Sequence, residues 1–468
     1  MNHKLFFISV VIVFILCGCT MAPKYERPDV PVPAKWPAGP AYQQIQSTQP
    51  ETRLSWREFF PDAHLREIIE TALKNNRDLR IAMLNVERAK AMYGISRTSL
   101  LPTVNATGTW YQERIPADLS SSGSAYTAEK YSVNLGMTSW EIDFFGRIRS
   151  LKDAALEEYL ATDESLRGSQ ILIISTVAQA YLALAADREN LQLSSKTFEA
   201  QKATYNLTKK RYEVGMVSEL DLRRIQSQVD TARGDLARYT QLVAQDENAL
   251  NLLAGSSVQT DLLPANLGIV SAPRDISAGL SSDPLLHRPD VLAAEHRLKE
   301  ANANIGAARA SFFPRITLTT SVGTASAELS GLFKAGSGVW AFTPQIVMPI
   351  FDARTWFAYD VAKLDKEIAI AQYEKSIQTA FREVSDALAE KGMISERVAA
   401  QQSLVDNLAA AFRLSDARYN KGIDSYLAVL DAQRSLYAAQ QGLIALRLVR
   451  YNNLITLYKT LGGSEEKP

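Results

Sequence analysis

The chain repeats itself over most of its length. Residues 211–220 align with residues 418–427 at a constant offset of 207, and an offset of 212 pairs Pro102 with Pro314. Self-similarity at one long period indicates two copies of a single supersecondary plan. The change of offset falls between Pro102 and Phe144, where a surface loop can absorb it.

Each repeat contains a segment that predicts an unusually long helix. Between Arg147 and Gly215 there is no proline and one internal glycine, Gly168. Apolar and aromatic residues recur there every seven positions, as they do in a coiled coil. A helix of about 60 to 65 residues spans roughly 90 to 100 Å. The stripe consists of Val177, Leu184, Leu191, Phe198, Tyr205 and Tyr212 in the first repeat, and of Val384, Lys391 (the one exception), Val398, Val405, Phe412 and Tyr419 in the second.

Shorter helices are predicted beside the long ones. Residues 65–100 and 219–254 have helical patterns, and end to end they approach the length of the long helix, so each repeat is expected to be a rod about two helices thick. A glycine turn precedes the last helix of each repeat, at 215–218 and 422–425. Glycine tolerates the left-handed conformation that ends a helix, and the serine that closes each turn is placed to cap the next helix.

Two alternating stretches in each repeat predict β-strands. After Pro102 and Pro314, apolar and polar residues alternate over runs of about 9 to 11 residues, the length of a tilted transmembrane strand. Alternation alone also fits the edge of a soluble sheet. Open sheet edges are not tolerated in lipid, and four strands are too few to enclose a lumen. A membrane location therefore requires either two chains with eight strands or three chains with twelve.

The N-terminal segment predicts export and lipid anchoring. Lys4 precedes an apolar run from Leu5 to Leu16 that suits a signal peptide but is too short to span a membrane. Leu16-Cys-Gly-Cys19 resembles a bacterial lipobox, so Cys19 is the predicted lipidation site and mature N-terminus. In the lipoproteins that this segment resembles, Thr20 at the next position implies sorting to the outer membrane. No later stretch offers 18 consecutive apolar residues.

Composition narrows the range of functions. The 51 basic residues balance 51 acidic ones, so there is no basic excess to bind nucleic acid. Cys17 and Cys19 are the two cysteines, which leaves no disulfide framework for the mature chain. His64, His287 and His296 lack metal-ligand spacing, and no phosphate-loop, zinc-protease or nucleophile-elbow motif is present. We therefore expect no catalysis, no metal and no cofactor.

Several motifs resemble those of the TolC-like outer-membrane factors, and among these the lipoprotein branch typified by the OprM channel of tripartite efflux pumps. The resemblance covers essentially the whole mature chain. It departs from the branch at Ser281, Pro284 and His287, where proline, leucine and arginine are usual. The most specific motifs are Trp56-Arg-Glu-Phe-Phe60, Asn76-Arg-Asp78-Leu79, Trp140-Glu-Ile-Asp-Phe-Phe-Gly146-Arg147, Arg288-Pro289-Asp290 and Leu430-Asp431-Ala-Gln433.

The resemblance implies a mixed fold, mostly α-helical, with two structural repeats of long coiled-coil helices plus a β-hairpin. It implies a homotrimer that forms a 12-stranded barrel in the outer-membrane lipid and an α-helical tunnel in the periplasm. The implied function is a passive exit duct for drugs and other small molecules. The implied partners are a periplasmic adaptor (membrane fusion) protein and an inner-membrane RND-type transporter. A protein-secretion channel, a structural coiled-coil lipoprotein and a lipid-anchored enzyme are the alternatives.

The expected domain organisation follows the repeats. Seven prolines between Pro23 and Pro50 predict an extended tether between the anchor and the folded body. Serine, proline and glycine in the middle of the chain predict a linker, which the resemblance places in an equatorial region. The expected segments are a signal peptide at 1–18, the anchor and extended segment at 19–64, the first repeat at 65–255, the linker at 256–288, the second repeat at 289–462 and a tail at 463–468.

The resemblance also places a gate at the periplasmic ends of the helices. Leu427 and Asp431 are four residues apart on one helix face, so three copies would form an apolar ring backed by a carboxylate ring. Like charges repel unless they are compensated, so Asp431 is expected to tune cation selectivity and opening. Arg418, Tyr419 and Asp221 are candidates to hold the tunnel shut, although routine surface pairing fits the same residues. The expected adaptor contacts are Val214, Gly215, Met216, Lys421, Gly422 and Ile423.

Overall fold

The computed structural model describes residues 20–42, 54–279 and 281–463. The predicted lipidation site, Cys19, lies outside these residues. Short 3₁₀ helices lie at Thr260–Leu262, Asp283–His287 and Leu329–Gly331. The other elements are α1 (Trp56–Phe59), α2 (Ala63–Asn75), α3 (Arg77–Thr98), β1 (Val104–Ile115), β2 (Tyr126–Glu141), α4 (Arg147–Glu213), α5 (Glu219–Ala254), α6 (Pro289–Ala310), β3 (Arg315–Ser326), β4 (Gly338–Val347), α7 (Ala353–Asn420) and α8 (Tyr426–Thr460).

The long helices predicted from the heptad stripes are confirmed. Helix α4 contains 67 residues and α7 contains 68. Val177 and Leu184 of the first stripe and Val384 of the second are fully buried. The chain is mostly helical, and each repeat also contributes one β-hairpin, as predicted.

The prediction of one continuous helix over 65–100 is wrong at Asn76, where α2 ends and α3 begins. The buried Asn76 side chain donates from Nδ2 to the carbonyl of Leu253 at 2.9 Å. Its Oδ1 accepts from the backbone N–H of Leu79 at 3.0 Å and so caps α3. The helix divides here because an asparagine side chain can replace backbone hydrogen-bond partners.

The described chain divides into two compact units. Unit 1 contains residues 85–163 and 293–373 with the described residues 20–29, and it holds the β-sheet. Unit 2 contains the described parts of 30–84, 164–292 and 374–468, and it is mostly helical. Helices α4 and α7 contribute residues to both units.

The sheet of unit 1 is a four-stranded antiparallel meander in the order β1-β2-β3-β4. The register places Leu135 between Ala106 and Val322, and Val322 beside Trp340. Within the described residues, the outer edges of β1 and β4 pair with no other strand. One face of the sheet carries mainly threonine, serine and asparagine, and the other face is apolar. The apolar face predicted from the alternation includes Val104, Ala106, Trp110, Tyr131, Val133, Leu135, Met137, Leu318 and Val322. The register places Trp340, Phe342 and Ile346 of β4 on the same face.

Aromatic packing and the linker stabilise unit 2. The rings of Phe59 and Tyr458 stack with centroids 4.5 Å apart. Lys391, the exception in the heptad stripe, donates from Nζ to the Asp275 carboxylate at 2.5 Å and to the Ile276 carbonyl at 2.7 Å. A lysine therefore replaces an apolar residue in the stripe because this position binds the linker.

One 18-residue window of α4 has the length and hydropathy of a membrane-crossing helix. Within the described chain, 56% of that window is buried. Helix α4 contains the buried residues Val177, Tyr181 and Leu184, which belong to the core of unit 2. Burial of this kind is typical of a core helix, whose apolar surface is covered by protein.

Candidate functional site

The turn between α4 and α5, residues 214–218, is named tip 1. Gly215 has a φ of 78°, a left-handed conformation that glycine adopts without steric cost. The backbone N–H of Met216 donates to the carbonyl of Arg211 at 2.8 Å, which closes the end of α4. Ser218 accepts from the N–H of Asp221 at 3.2 Å and donates to its carboxylate at 2.6 Å. The predicted glycine turn and serine cap are thus confirmed in the first repeat.

The turn between α7 and α8, residues 421–425, is named tip 2. Gly422 has a φ of 72°, and the N–H of Ile423 donates to the carbonyl of Arg418 at 3.0 Å, as at tip 1. Ser425 occupies the N-cap position of α8, but its side chain makes no capping hydrogen bond. The backbone geometry therefore repeats between the tips, whereas the predicted serine cap does not form in the second repeat.

Large apolar side chains are exposed at both tips. Val214 and Met216 retain 70% and 74% of their accessible surface at tip 1, and Ile423 retains 59% at tip 2. Apolar side chains this exposed beside charged residues form a surface suited to a protein partner. The six residues expected to contact an adaptor are all in or directly beside the two turns.

Leu427 and Asp431 lie in the first two turns of α8, on one face of the helix. Leu427 is 45% exposed. The Asp431 carboxylate forms an exposed ion pair with Arg434, three residues further along the helix, at 3.4 Å. A compensating charge for Asp431 was expected, but Arg434 was not predicted as its source, although residues three apart on a helix are neighbours.

The three residues expected to hold the tunnel shut have other partners within the chain. Arg418 pairs with Asp424 of tip 2 at 2.5 Å, and its hydrogen bond lowers the pKa of the Asp424 carboxyl. The Tyr419 hydroxyl accepts from Nη1 of Arg211 at 3.0 Å. Asp221 caps α5 and lies 4.0 Å from Arg224.

The two repeats meet through two tyrosine hydroxyls, one close to the tips and one several helical turns away from them. Tyr419 of α7 binds Arg211 of α4, and the Tyr437 hydroxyl of α8 lies 2.8 Å from the Ser194 hydroxyl of α4. Burial raises the pKa of Tyr437 to about 12, and either hydroxyl of this pair can be the donor. Ser194 and Tyr437 were not predicted, because a serine and a tyrosine far apart in the sequence carry no spacing signal.

The described residues contain no group of three or more histidine, cysteine, aspartate or glutamate side chains arranged to hold a metal ion. Among the histidines, His296 is mostly buried and its Nδ1 lies 2.6 Å from the Glu157 carboxylate.

Comparison with known proteins matches this chain to outer-membrane channels. The outer membrane efflux protein family matches residues 68–256 and 280–463. The toluene efflux pump outer membrane protein TtgF of Pseudomonas putida is 48% identical over 467 residues, covering 98% of this chain and 97% of that protein. The open-state MtrE outer membrane channel of Neisseria gonorrhoeae is 38% identical, with a TM-score of 0.85 over 95% of this chain and 98% of that one. A membrane protein from Pseudomonas aeruginosa is 40% identical, with a TM-score of 0.89 over 95% and 98% of the two chains.

These matches extend over both repeats and over nearly the whole of each relative. They confirm the family resemblance, the outer-membrane location and the efflux role predicted from the sequence. The chain belongs to the outer membrane efflux protein family.

Proposed function

We propose that three copies of this chain form a passive outer-membrane channel of a tripartite efflux pump. The observation that carries the proposal is the sheet of unit 1, which exposes an apolar face and has two unpaired edges among the described residues. Unpaired backbone groups cannot remain exposed in lipid, so strands β1 and β4 need partners from another copy.

The number of copies follows from the size of the barrel. In a meander of four strands, β1 and β4 run in opposite directions, so β4 of one copy pairs antiparallel with β1 of the next. Two copies would give eight strands, whose interior is just filled by side chains. Three copies give twelve strands and an open lumen lined by the threonine, serine and asparagine face.

The partners follow from the tips and from the relatives. The exposed apolar side chains Val214, Met216 and Ile423 support docking of a periplasmic adaptor protein on the tips. An inner-membrane RND-type transporter supplies the driving force, because the duct itself has no energy source. Relatives named for toluene efflux support small organic molecules as the substrates. Lipidation at Cys19 anchors each copy in the outer membrane.

The gate lies at the start of α8. Three copies of Leu427 form an apolar constriction and three copies of Asp431 form a ring of carboxylates, with Arg434 beside each one to reduce the repulsion. The hydrogen bond from Arg211 to Tyr419 restrains the helix end that carries tip 2. Release of these contacts widens the passage.

Single-channel conductance in a planar bilayer tests both the pore and its gate. We expect small steps from the wild-type protein and larger steps from the variant Leu427→Ala with Asp431→Ala. The aligned leucine of the first repeat provides a matched control, because Leu220→Ala shortens the side chain at the position that corresponds to Leu427 and leaves the pair between Asp221 and Arg224 in place. We expect this control to conduct like the wild type. Folded, inserted trimers that conduct in no variant would favour a structural coiled-coil lipoprotein instead.

A further inference from the structure

Four titratable side chains face one another between α4 and α6 in unit 1. Glu157 and Glu158 are consecutive residues of α4, and His296 and Glu300 lie one turn apart on α6. Helix α4 begins shortly after strand β2 ends, and α6 ends shortly before β3 begins. These four side chains, named the α4–α6 seam, therefore join the two repeats a few helical turns from the two central strands of the sheet.

The first bridge of the seam joins His296 to Glu157. Nδ1 of His296 lies 2.6 Å from Oε2 of Glu157, and the two side chains are 18% and 22% exposed. An imidazole attracts a carboxylate as an ion pair only when it carries its second proton. This bridge therefore joins the two repeats through one part-buried pair of side chains.

The second bridge joins two carboxyl groups, Glu300 and Glu158, which lie within hydrogen-bonding reach. Two ionised carboxylates have no proton to share, so a hydrogen bond between them requires that one be protonated. Burial, followed by the charge and the hydrogen bond of Glu158, raises the pKa of Glu300 to about 7, against a smaller opposing effect of Arg297. Glu300 is thus the member of the pair that holds the proton near neutral pH.

The neighbouring charges Arg27 and Lys299 pair with Glu295, whereas Arg297 acts on Glu300. Glu295, on the same helix, binds Arg27 at 2.6 Å and Lys299 at 3.2 Å, and it also accepts from the Tyr25 hydroxyl at 3.2 Å. These cations of α6 and the N-terminal segment therefore act on Glu295. A proton on one carboxyl relieves the repulsion between Glu300 and Glu158.

We propose that the α4–α6 seam is a proton-dependent clamp, which holds the two repeats together beside the sheet in acid and loosens as the pH rises past neutrality. The inference concerns unit 1 alone and does not rest on the proposed channel function. The carboxyl of Glu300 binds its proton more tightly in the folded than in the unfolded protein. Its contribution is therefore complete below the ordinary glutamate pKa of about 4.5 and is lost as the pH rises through about 7.

Amide hydrogen exchange of α6, corrected for the intrinsic effect of pH, measures the clamp in the full-length protein. Burial and the charge of Asp187 also raise the pKa of Asp246 in unit 2, to about 6, so a measurement on the whole protein would include a second pH-dependent group. Exchange is therefore measured in α6 alone. We expect the protection of α6 in the wild type to fall about tenfold between about pH 5.5 and pH 8. Glu300→Gln keeps a neutral donor at all pH values, so it should lose most of this pH dependence. The double variant Glu300→Gln with His296→Gln should lose nearly all of it.

Two further variants make the result decisive. Glu87→Gln, an exposed carboxyl of α3 in the same unit, serves as the control and should retain the full wild-type response. Glu158→Gln removes the charge that faces Glu300, so the loss of protection should move to lower pH; this variant replaces Glu300→Gln if that protein does not fold. Equal protection of wild-type α6 at both pH values, or an unchanged response in Glu300→Gln, would overturn the proposal.

Discussion

Gly306 lies directly against the backbone of Ala22. A Cβ atom at Gly306 would lie 2.6 Å from the backbone nitrogen of Ala22 and 2.6 Å from the hydroxyl of Ser150. The N-terminal segment continues along the same face of α6, where Asn302 donates to the carbonyl of Pro23 at 2.8 Å and Glu295 binds Arg27. The absence of a side chain at Gly306 thus allows residues 20–27 to dock on α6.

Gly306→Ala is therefore expected to displace the N-terminal segment. An added methyl group in a closely packed contact costs about 1 to 3 kcal/mol. Hydrogen exchange of residues 20–27 measures the displacement, and thermal unfolding measures the lost stability. A Cβ atom at Gly94, the residue aligned with Gly306 in the first repeat, would meet no neighbouring element of the described chain within 4 Å. Gly94→Ala should instead stabilise α3 by about 0.5 to 1 kcal/mol, and a similar loss of stability in both variants would refute this account.

Much of the fold could be predicted because its signals are local and periodic. The heptad stripes predicted α4 and α7, and the alternation predicted both hairpins and the apolar face of the sheet. The turn around Gly215 could be predicted because a glycine followed by a capping serine has a direct physical meaning in the local chain.

Contacts between residues far apart in the sequence could not be predicted in the same way. Asn76 divides a helical pattern because its side chain binds the carbonyl of Leu253, and no local rule reveals this partner. Lys391 appeared as a defect in the stripe until the structure placed Asp275 beside it. In the proposed gate, Tyr419 could be named from the sequence, but its donor, Arg211, depends on how the two repeats pack.

Arg288 is expected to be a main stabilising residue of unit 2. Its side chain is 8% exposed, and it binds Asp290 at 2.8 Å, Glu383 at 2.8 Å and the buried carbonyl of Thr460 at 2.7 Å. Arg288→Met leaves these acceptors without their donor, and we expect a loss on the order of 3 kcal/mol in chemical denaturation. Arg223→Ala removes an exposed pair with Glu219 at 3.1 Å and should cost below about 1 kcal/mol. Equal losses would show that burial of the Arg288 network contributes little.

The two faces of the sheet predict opposite tolerance to charge. Leu135 lies on the apolar face beside Val322, whereas Ser132 lies on the polar face of the same strand, beside Thr109. Leu135→Arg places a guanidinium in lipid, at a cost of about 2 to 4 kcal/mol near the bilayer centre, so insertion into the outer membrane should fall. Ser132→Arg should insert normally and alter ion selectivity. Heat-modifiable trimers in the membrane fraction measure insertion, and normal insertion of Leu135→Arg would contradict the assignment of the faces.

The hydrogen bond between Arg211 and Tyr419 predicts a graded effect on gating. Tyr419→Phe removes the hydroxyl that accepts from Nη1 of Arg211 at 3.0 Å and retains the ring. One hydrogen bond contributes about 1 kcal/mol, which corresponds to a shift of about fivefold per chain toward the open state. Single-channel recordings should therefore show a higher open probability than in the wild type, with an effect smaller than that of Leu427→Ala with Asp431→Ala.

Tyr212 provides the matched control for this experiment. It aligns with Tyr419 in the first repeat, but its hydroxyl makes no hydrogen bond within the described part of the chain, and 40% of its surface is exposed. Tyr212→Phe should therefore gate like the wild type. If the two variants open equally often, the restraint on tip 2 does not come from the Arg211 hydrogen bond, and the ion pair between Arg418 and Asp424 becomes the contact to remove next.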